Sequence, residues 1–185
     1  GVDAQGQLDC VPASADPPFR DDPAVPPAPD AEAVLSWVDM SDLARSLAVH
    51  GAAAPLAALF IDYGHVMTTW GDTLQAVRGH QPEHPLCSPG EADLSLAVDF
   101  AALQRAIEAT GLAVDGPVTQ AEFLGQLGIA ERASKLMAAN PARANEIESA
   151  VFRLMAAPGM GTRFHAIAVR STTLDALPGF AAAPR

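Results

Sequence analysis

One apolar run, Ala57 to Ile61, stops abruptly at Asp62, Tyr63, Gly64 and His65. Its length and composition predict a strand buried on both faces, of the kind found in parallel sheets covered by helices. Further strands are expected at 7–11, 33–38, 74–77, 112–114 and 164–170. Between them the apolar residues fall at helical spacing. Ser41 is placed to cap a helix running to His50, with Gly51 as its stop. Asp99 is placed to cap a helix with Phe100, Leu103 and Ile107 on one face, closed by Gly111. Thr119-Gln120-Ala121-Glu122 is a capping box ahead of Phe123, Leu124 and Leu127. Residues 131–139 read as helix. Asn140-Pro141 opens another, with Ile147, Val151, Leu154 and Met155 on its apolar side. Residues 12–29 are rich in Pro and Asp, and 81–91 hold three prolines. Both predict loops, because Pro removes a donor and locks φ. Strands alternating with helices give an α/β class, and no internal repeat is visible.

Composition narrows this picture. Of 185 residues, 49% are hydrophobic but only 5% aromatic, so Ala, Leu and Val must fill the core. The net charge of −11 excludes the basic surface that non-specific nucleic-acid or anionic-membrane binding needs. No apolar run reaches the ~18 residues of a membrane helix. Cys10 and Cys87 stand in unrelated contexts with no C-x-x-C, which points to a reducing, cytoplasmic setting. The Ala- and Pro-rich composition suggests a bacterial source. A start without Met leads us to expect a fragment.

In open α/β sheets ligands bind beyond the carboxyl ends of the strands. Asp62, Tyr63, Gly64 and His65 would lie there. Asp62 is suited to accept hydrogen bonds from a ribose, an amine or a guanidinium. Tyr63 is suited to stack, and His65 to act as a base near neutral pH. The structural alternative is an Asp capping a turn that the Gly makes. Arg78 could fix a carboxylate or simply neutralise Asp72 or Glu91. Asp93 could bind a cation or hold a loop, while Asp99 reads as the helix cap. The group His80, Glu83, His84 and Cys87 has metal-like spacing, but Pro82, Pro85 and Pro89 forbid the helix that would converge it, so no metal is expected. Neither G-x-G-x-x-G nor G-x-S-x-G occurs. A hydrolase built on His65 and Asp62 would therefore lack a nucleophile elbow.

Six motifs follow one another in order: Leu-Phe-Ile-Asp-Tyr-Gly-His (59–65), Gly-Asp-Thr-Leu-Gln-Ala-Val-Arg-Gly-His (71–80), Pro-Gly-Glu-Ala-Asp-Leu-Ser (89–95) with Val-Asp-Phe (98–100), Gly-Pro-Val-Thr-Gln-Ala-Glu-Phe-Leu (116–124), Leu-Gly-Ile (127–129), and Met-Gly-Thr (160–162) before Phe164. This series resembles the MidA family of S-adenosylmethionine (SAM)-dependent methyltransferases. Its mitochondrial members methylate an arginine of a complex I subunit. The resemblance implies a class I methyltransferase (Rossmann-like) fold, present here as its later strands and helices only. It divides the chain into a Pro-rich cover (1–38), the C-terminal part of the methyltransferase domain (39–180) and a tail (181–185). The strand near 57–63 would be central in the sheet, and 164–170 the late antiparallel one.

The family's cofactor loop and ribose-binding acid would lie upstream of the matched region. SAM would thus serve the complete enzyme and bind this chain weakly or not at all, leaving the cofactor-binding residues unknown. Asp62 and Tyr63 are the implied catalytic residues. Gly64, His65, Arg78, His80 and Asp93 are the implied substrate-binding ones. A protein substrate and a homo-oligomer through an open sheet edge are the implied partners, with neither nucleic acid nor membrane insertion. Ser36, Ala97 and His165 depart from the family pattern. They raise the alternative of an inactive remnant that serves as a protein-interaction module.

Overall fold

The computed structural model describes residues 23–30 and 33–180. The strand expected at 7–11 and the tail at 181–185 lie outside the described residues. The chain divides into two compact units.

The first unit takes the described residues up to Trp37 together with Thr68–Ala97. Its sheet has the order β3-β2-β4, with β2 at Gln75–Arg78, β3 at Gln81–Glu83 and β4 at Asp93–Ser95, all antiparallel. The loop expected over 81–91 is thus part strand. Pro82 is tolerated because β3 is an edge, where its missing N–H costs no ladder bond. The strand expected at 33–38 reduces to one bridge between Leu35 and Gly71. Two backbone bonds make that bridge, from the Gly71 N–H to the Val34 carbonyl (2.8 Å) and from the Ser36 N–H to the Gly71 carbonyl (3.3 Å), and a side chain reinforces it. The Ser36 hydroxyl donates to the Gly71 carbonyl (3.3 Å) and accepts from the Thr73 N–H (2.8 Å).

The second unit takes Val38–Met67 and the chain from Val98 onward. Its sheet has the order β5-β1-β7-β6, with β1 at Ala57–His65, β5 at Val98–Asp99, β6 at Ala113–Thr119 and β7 at Phe164–Arg170. β7 is antiparallel to both β1 and β6, which is the late antiparallel strand anticipated above. β5 pairs in parallel with the last two residues of β1.

One face of this sheet packs under helices α1 (Ser41–Ala53) and α2 (Phe100–Glu108). Its core joins Ala44, Phe100, Leu103, Ile107, Ile167 and Val169, with Ala58 and Phe60 beside them. The other face is covered over β6 and β7 by Phe123 of α3 (Gln120–Gln126) and by Phe180. Helices α4 (Ile129–Ala139) and α5 (Ala144–Met155) complete the unit.

β1 is not buried on both faces as its composition suggested. Leu59 is 49% and Ile61 42% exposed. Among the described residues, no strand pairs with the free edge of β1 ahead of Gly64, and nothing covers that side of its second face. The strand buried throughout is β7.

Local caps differ in two places. α1 begins at Ser41 itself, because the Asp39 carboxylate accepts from the Ser41 N–H at 2.8 Å, and the helix runs past Gly51 to Ala53. Asn140 makes no cap bond to the next helix. A short 3-10 turn at Pro141–Arg143 precedes α5. The Thr119 capping box and the Asp99 cap form as expected. β6 is longer than the three residues expected and passes through Gly116-Pro117 with a register shift between Asp115 and Val118.

Candidate functional site at the carboxyl end of β1

The strand register builds a polar row. Asp62 of β1 stands opposite His165 of β7, and His165 stands opposite Thr119 of β6. Directly opposed residues share a face of the sheet. The row therefore lies on the face that α2 covers, where the Phe100 ring meets the His165 imidazole at 5.6 Å between centroids. Asp62 is exposed, and one of its oxygens accepts from the Tyr63 N–H at 2.8 Å. His65 stands opposite Asp99 on β5, with its Nε2 4.0 Å from the Asp99 Oδ2. The base that sequence paired with Asp62 is therefore placed against Asp99.

Gly64 has a steric reason. A Cβ there would collide with the Val98 carbonyl, so β5 reaches β1 only because this residue has no side chain. Tyr63 packs edge-on to Phe164, with ring centroids 6.1 Å apart. Its Oη is buried and has no hydrogen-bond partner, and the same holds for the Nδ1 of His165. Two orphaned polar atoms at one sheet end are unusual in a folded protein.

Electrostatics link the row. Burial pushes the His165 pKa down, the nearby His65 pushes the same way, and Glu122 opposes them. His165 is thus held neutral at pH 7. Glu122 lies below the usual carboxylate range because the Thr119 backbone N–H and hydroxyl both donate to it.

The remaining candidates, Arg78, His80 and Asp93, belong to the first unit. Arg78 is half-exposed and pairs with Glu83 (3.1 Å) and Glu91 (3.4 Å). His80 occupies the left-handed region (φ 64°) in the turn between β2 and β3, next to Gly79 (φ 55°). That is the geometry of a tight hairpin turn. Asp93 opens β4 opposite Val77. Within this unit, the three have structural partners or positions. Among the described residues, no group of three His, Cys, Asp or Glu could hold a metal ion.

Sequence reasoning read Glu122 only as part of the capping box and Asp99 chiefly as the helix cap, and took His165 only as a departure. The available signal was a lone His inside an otherwise apolar strand. The partners it meets come from register, which the sequence does not print.

A family model for S-adenosyl-L-methionine-dependent methyltransferases matches residues 34–118, a span that takes in Asp62, Tyr63, Gly64, His65, Arg78, His80, Asp93 and Asp99. Protein arginine methyltransferase NDUFAF7, mitochondrial, from Mus musculus is 36% identical over 143 residues, covering 76% of this chain and 30% of that protein. The chain belongs to the MidA-like methyltransferase family. The Danio rerio NDUFAF7 is 35% identical over 136 residues, covering 73% of this chain and 31% of its own length. The chain thus spans about a third of the length of these curated relatives.

Solved structures agree on the fold. An uncharacterized protein from Burkholderia thailandensis matches with a TM-score of 0.65 at 27% identity, over 75% of this chain and 39% of that one. A likely methyl transferase from the same organism, bound to S-adenosyl-homocysteine, matches with a TM-score of 0.60 at 29% identity, over 68% of this chain and 34% of that one. This MidA-like chain is accordingly a partial class I methyltransferase fold, holding its antiparallel late strand. No helix among the described residues is long and apolar enough to cross a membrane.

Strand passes directly to helix at Asp99–Phe100 and at Thr119–Gln120, and neither turn contains a glycine. The close backbone approach that a nucleoside-type cofactor needs is not built there.

Proposed function

We propose that this chain forms the methyl-acceptor side of a SAM-dependent protein arginine methyltransferase. One observation carries the reading: the family match spans the whole carboxyl end of β1, from Asp62 through Asp99. In this reading Asp62 and Tyr63 are the catalytic residues. Asp62, exposed at the strand end and in no ion pair among the described residues, holds the cationic acceptor. Tyr63 lines its pocket, with Gly64 and His65 beside it. Arg78, His80 and Asp93 are weaker acceptor contacts, since each has a structural role within the first unit.

The acceptor is an arginine of a protein, in keeping with the arginine methyltransferase named among the relatives, and we favour a respiratory complex I-type subunit. The cofactor is held by parts of the complete enzyme that this chain does not span. The setting read from the sequence is cytoplasmic, while the relatives' names place those proteins in mitochondria. The open edge of β1 supports a homo-oligomer of the isolated chain.

Two measurements test the reading. Calorimetric titration of this chain with SAM is expected to give no heat of binding. Micromolar binding would overturn the division of labour. The complete protein should transfer labelled methyl groups to arginine in a protein acceptor, and Asp62→Asn should cut the rate by about 10²-fold, the scale of a lost positioning contact. Transfer unaffected by Asp62→Asn would remove Asp62 from the site.

A second reading, an interaction module without activity, draws support from His165 and from the exposed Leu59 and Ile61. It predicts partner capture that survives Asp62→Asn and is lost on Leu59→Lys.

A further inference from the structure

Helices α3, α4 and α5 leave an apolar trough between them. Leu124 and Leu127 from α3, Leu136 from α4, and Ile147, Val151 and Leu154 from α5 line a cavity of about 410 Å³. α5 buries none of its residues, and α4 buries only Ala133. Three helices thus turn apolar side chains to a space that none of those side chains fills. The walls are tied together. The Gln120 amide, 5% exposed, donates to the Leu154 carbonyl at 2.8 Å and joins α5 to α3. Two charged residues also line the trough, Arg132 and Glu146. Arg143 takes both oxygens of Glu146, at 2.8 and 2.7 Å. Arg132 is exposed and has no hydrogen bond or ion pair among the described residues. The trough therefore offers one neutralised acid and one free guanidinium.

We infer that this trough binds a small amphipathic carboxylate. The apolar chain of the ligand lies along Leu124, Ile147, Val151 and Leu154, and its carboxylate pairs with the Arg132 guanidinium. Withdrawal of the chain from water supplies the affinity, and the planar fork of Arg132 selects the anionic head. The volume falls within the range of small-molecule sites, about 300–1,000 Å³. A partner helix about 10 Å across would seat only about one turn in it, so a small ligand fits this space better than a protein segment. The trough and its ligand are independent of the methyl-transfer reading.

Decanoate, below its micellar concentration at neutral pH, is the probe, and decanol is the uncharged control. In the 185-residue chain, titration with decanoate should move the methyl NMR signals of Ile147 and Leu154. Decanol should bind about tenfold more weakly, the scale of one lost hydrogen bond to a charged group. Arg132→Gln should erase that preference and leave decanol binding as it was. Leu136→Asp places a carboxylate in the trough and Ala150→Phe fills it, so each should abolish binding of both probes. Circular dichroism identifies which of the two variants keeps the fold, and Arg132→Gln, on an exposed side chain, decides the matter without them. Decanoate binding undiminished by Arg132→Gln, shifts at Leu59 and Ile61 in place of Ile147 and Leu154, or no shift at all would overturn the inference. Shifts at Ile147 and Leu154 that follow protein concentration alone would give the trough to a second copy. Shifts there with an acidic amphipathic peptide but not with decanoate would give it to a protein partner. Either result overturns the small-ligand assignment. The complete protein should bind decanoate as this chain does. Loss of binding there would also overturn the assignment, because the trough would then be an inner surface of the larger fold.

Discussion

The two ends of the second unit's sheet both carry buried charge, and they treat it in opposite ways. At the end formed by the carboxyl terminus of β7, Arg170 turns each of its three guanidinium nitrogens to an acceptor. Nε and Nη2 donate to the two oxygens of Asp115 at 2.9 and 3.2 Å, and Nη1 donates to the Leu174 carbonyl at 2.6 Å. Asp115 also accepts from the Leu177 N–H at 2.9 Å. Burial would raise this carboxyl, but the Arg170 hydrogen bonds, the Leu177 N–H and the Arg170 charge outweigh it and hold the carboxyl low.

At the other end, Tyr63 Oη and His165 Nδ1 have no partner, and His65 stands 4.0 Å from Asp99. A satisfied bidentate pair stabilises and orients chain, here the segment that carries Leu177 and Phe180 onto the sheet. An unsatisfied cluster costs stability and is retained where it does something else. The contrast teaches where to look for function: the incomplete end.

The largest test of that contrast is Arg170→Ala. It should cost about 3 kcal/mol in urea denaturation, because it leaves Asp115 buried without its cation. A cost below about 0.5 kcal/mol would mean that the pair is ornamental. The same lock predicts acid sensitivity. With its folded pKa below the unfolded value near 3.9, Asp115 contributes stability above that value and loses it as the pH falls through the lower one.

Next in size is Thr119→Ala, which removes half of the capping box and should cost about 1 kcal/mol. It also takes the hydroxyl bond from Glu122 and leaves only the backbone N–H of position 119, so it should disturb His165 more than a distant cap would.

A smaller effect, the same in sign as that of Asp115 but at higher pH, comes from His165. Its folded pKa lies below the unfolded value of about 6.5, so the unfolded chain binds the extra proton first. Stability should rise as the pH climbs through that region, and His165→Asn should flatten the slope. An unchanged slope in urea midpoints between pH 5 and 8 would refute the burial assigned to this ring.

Smallest is Asp62→Asn. At an exposed strand end it should alter stability by less than about 0.5 kcal/mol. A large loss there would make the carboxyl end structural too, and the contrast would fail.

Several of these features were legible in the residues. The capping box and the Asp99 cap are local, since each needs only residues three apart, and both appear as read. The Phe100, Leu103 and Ile107 stripe is likewise one helix face meeting the core. β1 was right as a strand and wrong in its burial, because an apolar run states what could be covered and not what is present to cover it. β3 and β4 were missed because Pro82 and short length argue against a strand until an edge position excuses the proline. Asp62, Gly64 and His65 were legible as a strand end. The match of His65 to Asp99 was not, because those residues are joined by register across 34 positions of chain.

By itself, the sequence determined the class, the family and the identity of the strand that carries the site. It did so because apolar period, caps and ordered motifs are local or linear properties. Only tertiary structure decided which acid stands beside which base. Asp99 rather than Asp62 faces His65, His165 becomes a buried neighbour of that pair, and Arg170 is consumed by Asp115. Those choices follow from strand order and register, which depend on how the whole sheet packs and on a glycine that lets two strands meet.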